Sequence, residues 1–139
     1  EMAAFLIRAL GLQSQMLGFQ RTFSDVPAGE WYTPYVETLA NLQISEGYPD
    51  GAYRPQASVT RAEMAAFLSR AFGTGSLTSA LGVFIDVPPT EWFALPAEQI
   101  YADGITLGCS VDPLRYCPLD VVRRDEMASF IARALGIGV

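Results

Sequence analysis

Arg61 is the residue whose type and position first suggest chemistry. It lies in the segment Val59–Gly73, directly after Thr60, at the point where an amphipathic helix is predicted to begin. The first turn of a helix has unpaired N–H groups and a partial positive charge, so a cation is unfavourable there unless an anion compensates it. Two interpretations stay open. In the first, which physical arguments alone favour, Arg61 is a solvated side chain paired with Glu63 or another neighbour. In the second, Arg61 and the first backbone N–H groups of the helix together bind a carboxylate or phosphate.

The helix that would position Arg61 carries signals at both of its ends. Thr60 and Glu63 have the spacing of a capping box, in which each side chain satisfies the other residue's backbone N–H group. Gly73 is predicted to stop the helix in the left-handed conformation. Apolar residues at helical spacing form one stripe for packing against a core, and they are Met64, Phe67, Leu68, Ala71 and Phe72.

The same helix pattern opens and closes the chain, which indicates an internal repeat. Its other copies lie at residues 1–11 and 122–136, and Arg124 takes the place of Arg61 in the last copy. Arg123 stands there instead of the capping threonine. A second amphipathic helix is predicted within Tyr32–Ile44. The predicted organisation is a truncated unit at residues 1–11, a linker at 12–22, a complete unit at 23–73, a linker at 74–83 and a divergent complete unit at 84–139.

Composition excludes several classes of function. The chain has 139 residues, of which 50% are hydrophobic, so a disordered chain is not expected. Its net charge of −6 argues against nucleic acid and anionic membranes as partners. All nine basic residues are arginines, whose planar forks suit carboxylates. No apolar run is long enough to span a bilayer.

Catalytic chemistry is not indicated. The chain contains no histidine, which removes the commonest general base and many metal sites. Glu46 with Asp50, or Asp125 with Glu126, could be considered as glycosidase pairs. Carboxylates in turns or side by side are nearly always solvated in an acidic protein, so we predict no enzyme, no cofactor and no metal site.

These motifs together resemble the S-layer homology domain family. In the first complete unit, Phe23–Val26 reads FSDV, Trp31 follows, Gly47–Gly51 reads GYPDG and Thr60–Glu63 reads TRAE. The second complete unit is a weaker match. It carries FIDV at Phe84–Val87, Trp92, Gly104 with Ile105, and RRDE at Arg123–Glu126.

The resemblance implies an all-α fold of helix–loop–helix units, arranged as a pseudo-threefold helical bundle with short extended turns. It also implies a non-catalytic module at the cell wall, outside the cell, that anchors surface proteins to acidic and often pyruvylated glycopolymers. A self-assembling structural subunit of a surface layer or extracellular filament is the alternative. One intact TRAE motif favours the anchor, whereas the truncated and divergent units favour assembly.

Site residues follow from the resemblance position by position. Arg61 and Arg124 are implied to recognise the acidic sugar, and Arg61→Ala is expected to weaken glycan binding more than Arg124→Ala. For the two tryptophans, packing in the core at the helix start is favoured over sugar binding. The weaker candidates are Asp25, Trp31, Asp86, Trp92 and Gly47.

Two cysteines mark a departure from the family. Cys109 and Cys117 bracket one loop of the divergent unit, at the positions of Tyr48 and Arg54 in the first complete unit. We predict a disulfide between them, which fits an oxidising location outside the cytoplasm. Two free buried thiols are the alternative. The altered loop puts ligand binding by this unit in doubt.

The chain begins inside a repeat, so the helix at residues 1–11 lacks its own front half. A short helix is marginal alone in water and must bury its apolar stripe. Within one chain it can pack on the following unit, but a threefold arrangement then lacks one front helix. We expect a second copy of the chain, or a piece of the parent protein, to fill that gap.

Overall fold

A computed structural model describes residues 2–16 and 20–136, and this part of the chain is mainly helical, as predicted. None of its helices combines the length and the apolar character that crossing a membrane requires. The helices of the described part are α1 (Met2–Ala9), α2 (Thr33–Asn41), α3 (Arg61–Phe72), α4 (Ala94–Ala102) and α5 (Arg124–Ala134), with a 3₁₀ turn at Gln13–Gln15 and a hairpin of β1 (Ser110–Val111) and β2 (Leu114–Arg115).

The chain forms two packing units, residues 1–57 and 58–139. From here on, the first unit and the second unit are these two packing units, and the sequence units are called repeats. In the first unit, α1 packs against α2. In the second unit, α3 packs against both α4 and α5. Helix packing therefore pairs the last helix of one sequence repeat with the first helix of the next. The repeat boundaries at 23–73 and 84–139 describe the sequence period and stay a prediction.

The start of α3 confirms the predicted capping box. The Glu63 N–H donates to Thr60 Oγ1 at 3.2 Å, and the Thr60 N–H donates to Glu63 Oε1 at 3.0 Å. In α5, the Arg123 N–H likewise donates to Glu126 Oε1 at 3.1 Å. An arginine side chain cannot accept a hydrogen bond in return, so α5 retains only one half of the box.

The end of α3 differs from the prediction. Gly73 has φ −64° and ψ 145°, so it is extended and not left-handed. A side chain at this position would collide with the carbonyl group of Ser69, which accepts the Gly73 N–H bond. Glycine is therefore required for close approach. The predicted left-handed stop occurs in the other two copies, at Gly11 (φ 69°) and Gly136 (φ 75°).

The predicted helix within Tyr32–Ile44 is shorter than that stretch. It ends at Asn41 because Gln43 adopts a left-handed φ of 61°. The Ile44 N–H then donates to Leu39 O at 3.0 Å, which closes a Schellman motif and turns the chain out of the helix.

Two buried glutamates hold the linkers, a role that the sequence analysis missed. Glu98 on α4 is 2% exposed, and its carboxylate accepts the N–H groups of Leu81, Gly82 and Val83. Glu37 occupies the corresponding place on α2 and is 1% exposed. Its Oε2 accepts the Thr22 hydroxyl at 2.7 Å. These hydrogen bonds therefore fix the end of each linker against the first helix of the repeat that follows it.

The predicted disulfide between Cys109 and Cys117 is present. It closes a loop that contains the unpredicted hairpin, in which Ser110 pairs with Arg115 and Val111 with Leu114. In the first unit, Tyr48 and Arg54 stand at the same positions. The Arg54 guanidinium carbon lies 3.8 Å from the centre of the Tyr48 ring, so a cation–π contact closes that loop instead of a covalent bond.

Candidate functional site

Arg61 is buried within the second unit, with a side chain only 4% exposed. Its Nε donates to the Tyr116 carbonyl at 2.7 Å, and its Nη1 donates to Glu126 Oε2 at 2.8 Å. Glu126 also accepts the backbone N–H of Arg123 through its other oxygen. One carboxylate therefore both caps α5 and neutralises the buried guanidinium.

Two aromatic rings complete the environment of Arg61. Its guanidinium carbon lies 4.7 Å from the centre of the Tyr116 ring and 5.2 Å from that of Phe130. The Tyr116 hydroxyl donates to the Arg61 carbonyl at 2.7 Å, and this tyrosine is fully buried. Burial raises the pKa of Tyr116 well above its usual value, although nearby Arg61 lowers it and Glu126 adds to the rise.

The N–H groups at the start of α3 are not free. The Arg61 N–H donates to Asp120 O at 2.8 Å, and the Ala62 N–H donates to Pro118 O at 2.9 Å. The hypothesis that they bind an anion together with Arg61 is therefore wrong, and so is the interpretation of Arg61 as a solvated side chain.

A direct contact between Arg61 and a sugar stays a prediction from the resemblance. Within the described residues, Arg61 Nη2 is the one donor of this side chain that has no hydrogen-bond partner, but it too is buried. Arg124, at the corresponding place in α5, is exposed. Of the two predicted arginines, only Arg124 is accessible to a polymer in this conformation.

The weaker candidates Asp25 and Asp86 have the same position in their repeats and the same contacts. Asp25 accepts the N–H groups of Tyr53 and Arg54, both at 2.8 Å. Burial acts to raise the pKa of Asp25, but these two bonds, its own backbone N–H and the charge of Arg54 together outweigh it, so the pKa lies below its usual value. Asp86 accepts the N–H groups of Tyr116 and Cys117, also at 2.8 Å. Both carboxylates fix the loop that follows the first helix of the repeat.

Gly47 also has a structural explanation. Its φ of 74° is left-handed, and a side chain there would collide with the ring of Phe23. This glycine allows the GYPDG turn to lie directly on the buried phenylalanine.

Trp31 and Trp92 are both exposed, which overturns the favoured prediction that they pack in the core. Trp31 is 60% exposed and Trp92 is 62% exposed. Each one precedes the first helix of its repeat and meets the next aromatic residue edge to face, at 5.7 Å for Tyr32 and 5.3 Å for Phe93. The exposed indoles are therefore held in place by aromatic neighbours and present their remaining surface to solvent.

The first unit extends this arrangement into a larger cluster. Trp31 also contacts Tyr35, with ring centres 6.2 Å apart and planes at 65°. The guanidinium carbon of Arg8, in the last turn of α1, lies 5.7 Å from the centre of the Tyr35 ring. We call Arg8, Trp31, Tyr32 and Tyr35 the Arg8 cluster. The second unit has Pro96 where Tyr35 stands in the first.

Among the described residues, one group has the composition of a metal site, namely Asp86, Cys109 and Cys117. The two sulfur atoms are bonded to each other, so they are not thiolate ligands. The Asp86 carboxylate is engaged by two backbone N–H groups. With the disulfide formed, these three residues therefore stabilise the loop.

Sequence reasoning missed Tyr116 and Glu126 as partners of Arg61, and Arg8 with Tyr35 as neighbours of Trp31. Tyr116 is preceded by an identical residue one repeat earlier, at Tyr53, and this recurrence was a usable signal. Arg8 gave no comparable signal, because a cation in the last turn of a helix is explained by the helix dipole alone.

Arg61→Ala should lower the free energy of unfolding by about 3 kcal/mol, because it removes the buried guanidinium from the Tyr116 carbonyl and from Glu126. Glu126 is 25% exposed and keeps Arg123 Nε at 3.7 Å as a second cation, so its charge is not left uncompensated. Arg124→Ala is the matched control, and as an exposed site it should change this free energy by less than about 1 kcal/mol. Urea denaturation followed by circular dichroism gives both values. Equal effects of the two substitutions would contradict the structural role of Arg61.

Stability should fall at alkaline pH through Tyr116. The unfolded tyrosine ionises near pH 10, whereas the folded one keeps its proton to higher pH. Its contribution is therefore complete below about pH 10 and is lost as pH rises from there towards the folded pKa. Between pH 9.5 and 11, the wild type should lose roughly 1 kcal/mol more unfolding free energy than Tyr116→Phe. Parallel pH profiles for the two proteins would exclude this contribution.

Comparison with known proteins agrees with these features. Residues 22–65 match the family model of the S-layer homology domain. The cellulosome-anchoring protein of Acetivibrio thermocellus is 44% identical over 77 residues, which are 55% of this chain and 16% of that protein. A surface layer protein of Brevibacillus choshinensis is 33% identical over 75 residues, 52% of this chain and 7% of that protein.

Some relatives are named as enzymes. An amylopullulanase of Thermoanaerobacterium thermosulfurigenes is 34% identical over 116 residues, 84% of this chain but only 6% of that protein. The chain spans less than a fifth of the length of each of these relatives. The family match, together with these relatives, supports the expected location at the cell surface and the expected class of anchoring module. Its motifs, its helical repeats and this match show that the chain belongs to the S-layer homology domain family.

Proposed function

We propose that this chain is a non-catalytic module that attaches its parent protein to a polysaccharide of the cell wall. The observation that carries the proposal is the exposure of Trp31 and Trp92 at corresponding positions of two repeats. Leaving an indole in water forgoes the free energy that its burial would contribute. Two such losses at repeated positions indicate selection for a ligand.

The chemistry of these positions suits a sugar. The flat indole face packs against the C–H groups on one side of a pyranose ring, and its N–H group can donate to a hydroxyl. Names of relatives point the same way, since one is a cellulosome-anchoring protein and another a surface layer protein. The partners under this proposal are the wall polysaccharide and the remainder of the parent protein.

The preferred polysaccharide is acidic, and pyruvyl groups are one source of its carboxylates. All nine basic residues are arginines, and exposed Arg124 can offer a guanidinium fork to a carboxylate. Arg61 supports the second unit from inside by holding Tyr116 and Glu126.

Self-assembly into a layer or filament is the second candidate, and exposed aliphatic side chains favour it. Leu119 is 82% exposed, Val111 is 78% exposed and Leu81 is 77% exposed. These three residues belong to the second unit. Association of copies through them would appear in light scattering as a mass that rises with protein concentration, without any wall material.

Replacing both tryptophans tests the anchoring function. Trp31→Ala with Trp92→Ala should weaken binding to purified cell-wall sacculi at least about tenfold, since stacking side chains dominate such contacts. The melting temperature should change little, because both side chains are exposed. Leu119→Ala is the matched control for loss of an exposed apolar group. Binding that survives the double substitution would refute the proposal, and a loss in Leu119→Ala alone would favour self-assembly.

A further inference from the structure

We propose that Arg8, Tyr35 and Trp31 form a site in the first unit for a pyranose sugar that carries a carboxylate. This inference rests on the proposed function, because it assigns a role in polysaccharide binding to Arg8. Neither the motifs nor the resemblance indicated that role. The residues come from two packed helices and the turn before one of them. Arg8 lies in the last turn of α1, Tyr35 lies in the first turn of α2, and Trp31 directly precedes that helix.

Tyr35 is the centre of this site. Its half-buried ring has the Trp31 indole on one side, at 6.2 Å between centres, and the Arg8 guanidinium carbon at 5.7 Å from its own centre. Indole, phenol ring and guanidinium therefore form one continuous surface. A sugar ring stacked on Trp31 would direct its substituents towards Arg8.

The charge of Arg8 is available for a ligand. Arg8 is exposed, and no carboxylate of the described residues lies within ion-pair distance of it, although the protein as a whole has a net charge of −6. A cation–π contact holds the guanidinium over the ring through its face and leaves the N–H donors at its edge unused. Those donors match the two oxygens of a carboxylate. The geometry therefore favours an acidic sugar over a neutral one.

The second unit provides a natural comparison. Arg70 occupies the position of Arg8 in the following helix, but Pro96 replaces Tyr35, so no phenol ring is present to hold that arginine beside Trp92. The site is accordingly specific to the first unit. Arg70→Ala is thus a matched control, since it removes an exposed arginine from the same helical position.

Methyl β-D-glucuronide and methyl β-D-glucoside serve as the two probes, because they differ only at C6, which is a carboxylate in the first and a hydroxymethyl group in the second. Titration is followed by NMR through the two tryptophan indole N–H signals, assigned with Trp92→Phe. We expect the glucuronide to shift the Trp31 signal and to bind about tenfold more tightly than the glucoside, which is the size of one charge-assisted contact. Arg8→Ala should remove this preference, whereas Arg70→Ala should keep it.

Several results would overturn the site. The first is that Arg8→Ala and Arg70→Ala lose the same amount of affinity for glucuronide. The second is that glucuronide shifts only the Trp92 signal. The third is that the Arg8→Ala protein has a lower melting temperature but binds glucuronide with unchanged affinity. The last result would assign Arg8 to the helix dipole alone. The sacculus assay and the NMR titration separate this proposal from the anchoring proposal. If binding to sacculi needs both tryptophans but the titration shows no preference for the carboxylate, only the Arg8 site is overturned.

Discussion

Arg61 carries a full positive charge into the second unit, where its side chain is only 4% exposed. Removing such a charge from water costs several kcal/mol unless an opposite charge and hydrogen bonds replace the lost solvation. Glu126 on α5 and the carbonyl of Tyr116 supply these, and the Tyr116 ring covers the guanidinium. Because each partner comes from a different part of the chain, the start of α3, the disulfide-bonded loop and α5 must be in place together.

The two complete repeats anchor the corresponding loop in the same way but close it with different chemistry. In both, an aspartate from the FxDV motif accepts two backbone N–H groups of the loop. The loop is then closed by a stack of Arg54 on Tyr48 in one repeat and by the Cys109–Cys117 disulfide in the other. Arg54 follows Tyr53 in one loop, and Cys117 follows Tyr116 in the other. Both residues have a left-handed backbone, with φ 59° at Arg54 and φ 57° at Cys117. The backbone conformation at this one position is thus shared by the two repeats, whereas the interaction that closes the loop is not.

Local signals predicted what depends on local structure. The capping box of Thr60 and Glu63, the helical class and the cysteine pairing follow from spacing along a few residues, and all three are present. Burial of Arg61 was not predictable in this way, because its ion-pair partner lies 65 residues away. Exposure of Trp31 was also missed, since hydrophobicity favours burial unless a ligand selects against it. Gly73 shows that one residue type can serve two purposes, a left-handed stop or close packing.

We propose that Arg61 supports the second unit from inside while ligand contact takes place at the exposed aromatic residues. The most direct measurement is an NMR titration with soluble fragments of cell-wall polysaccharide, in which the Arg61 Nε–H and the two indole N–H signals are followed together. We expect the Arg61 signal to be protected from solvent exchange and to stay in place while the indole signals shift. A rapidly exchanging Arg61 Nε–H that shifts with the ligand, with unchanged indole signals, would contradict this proposal.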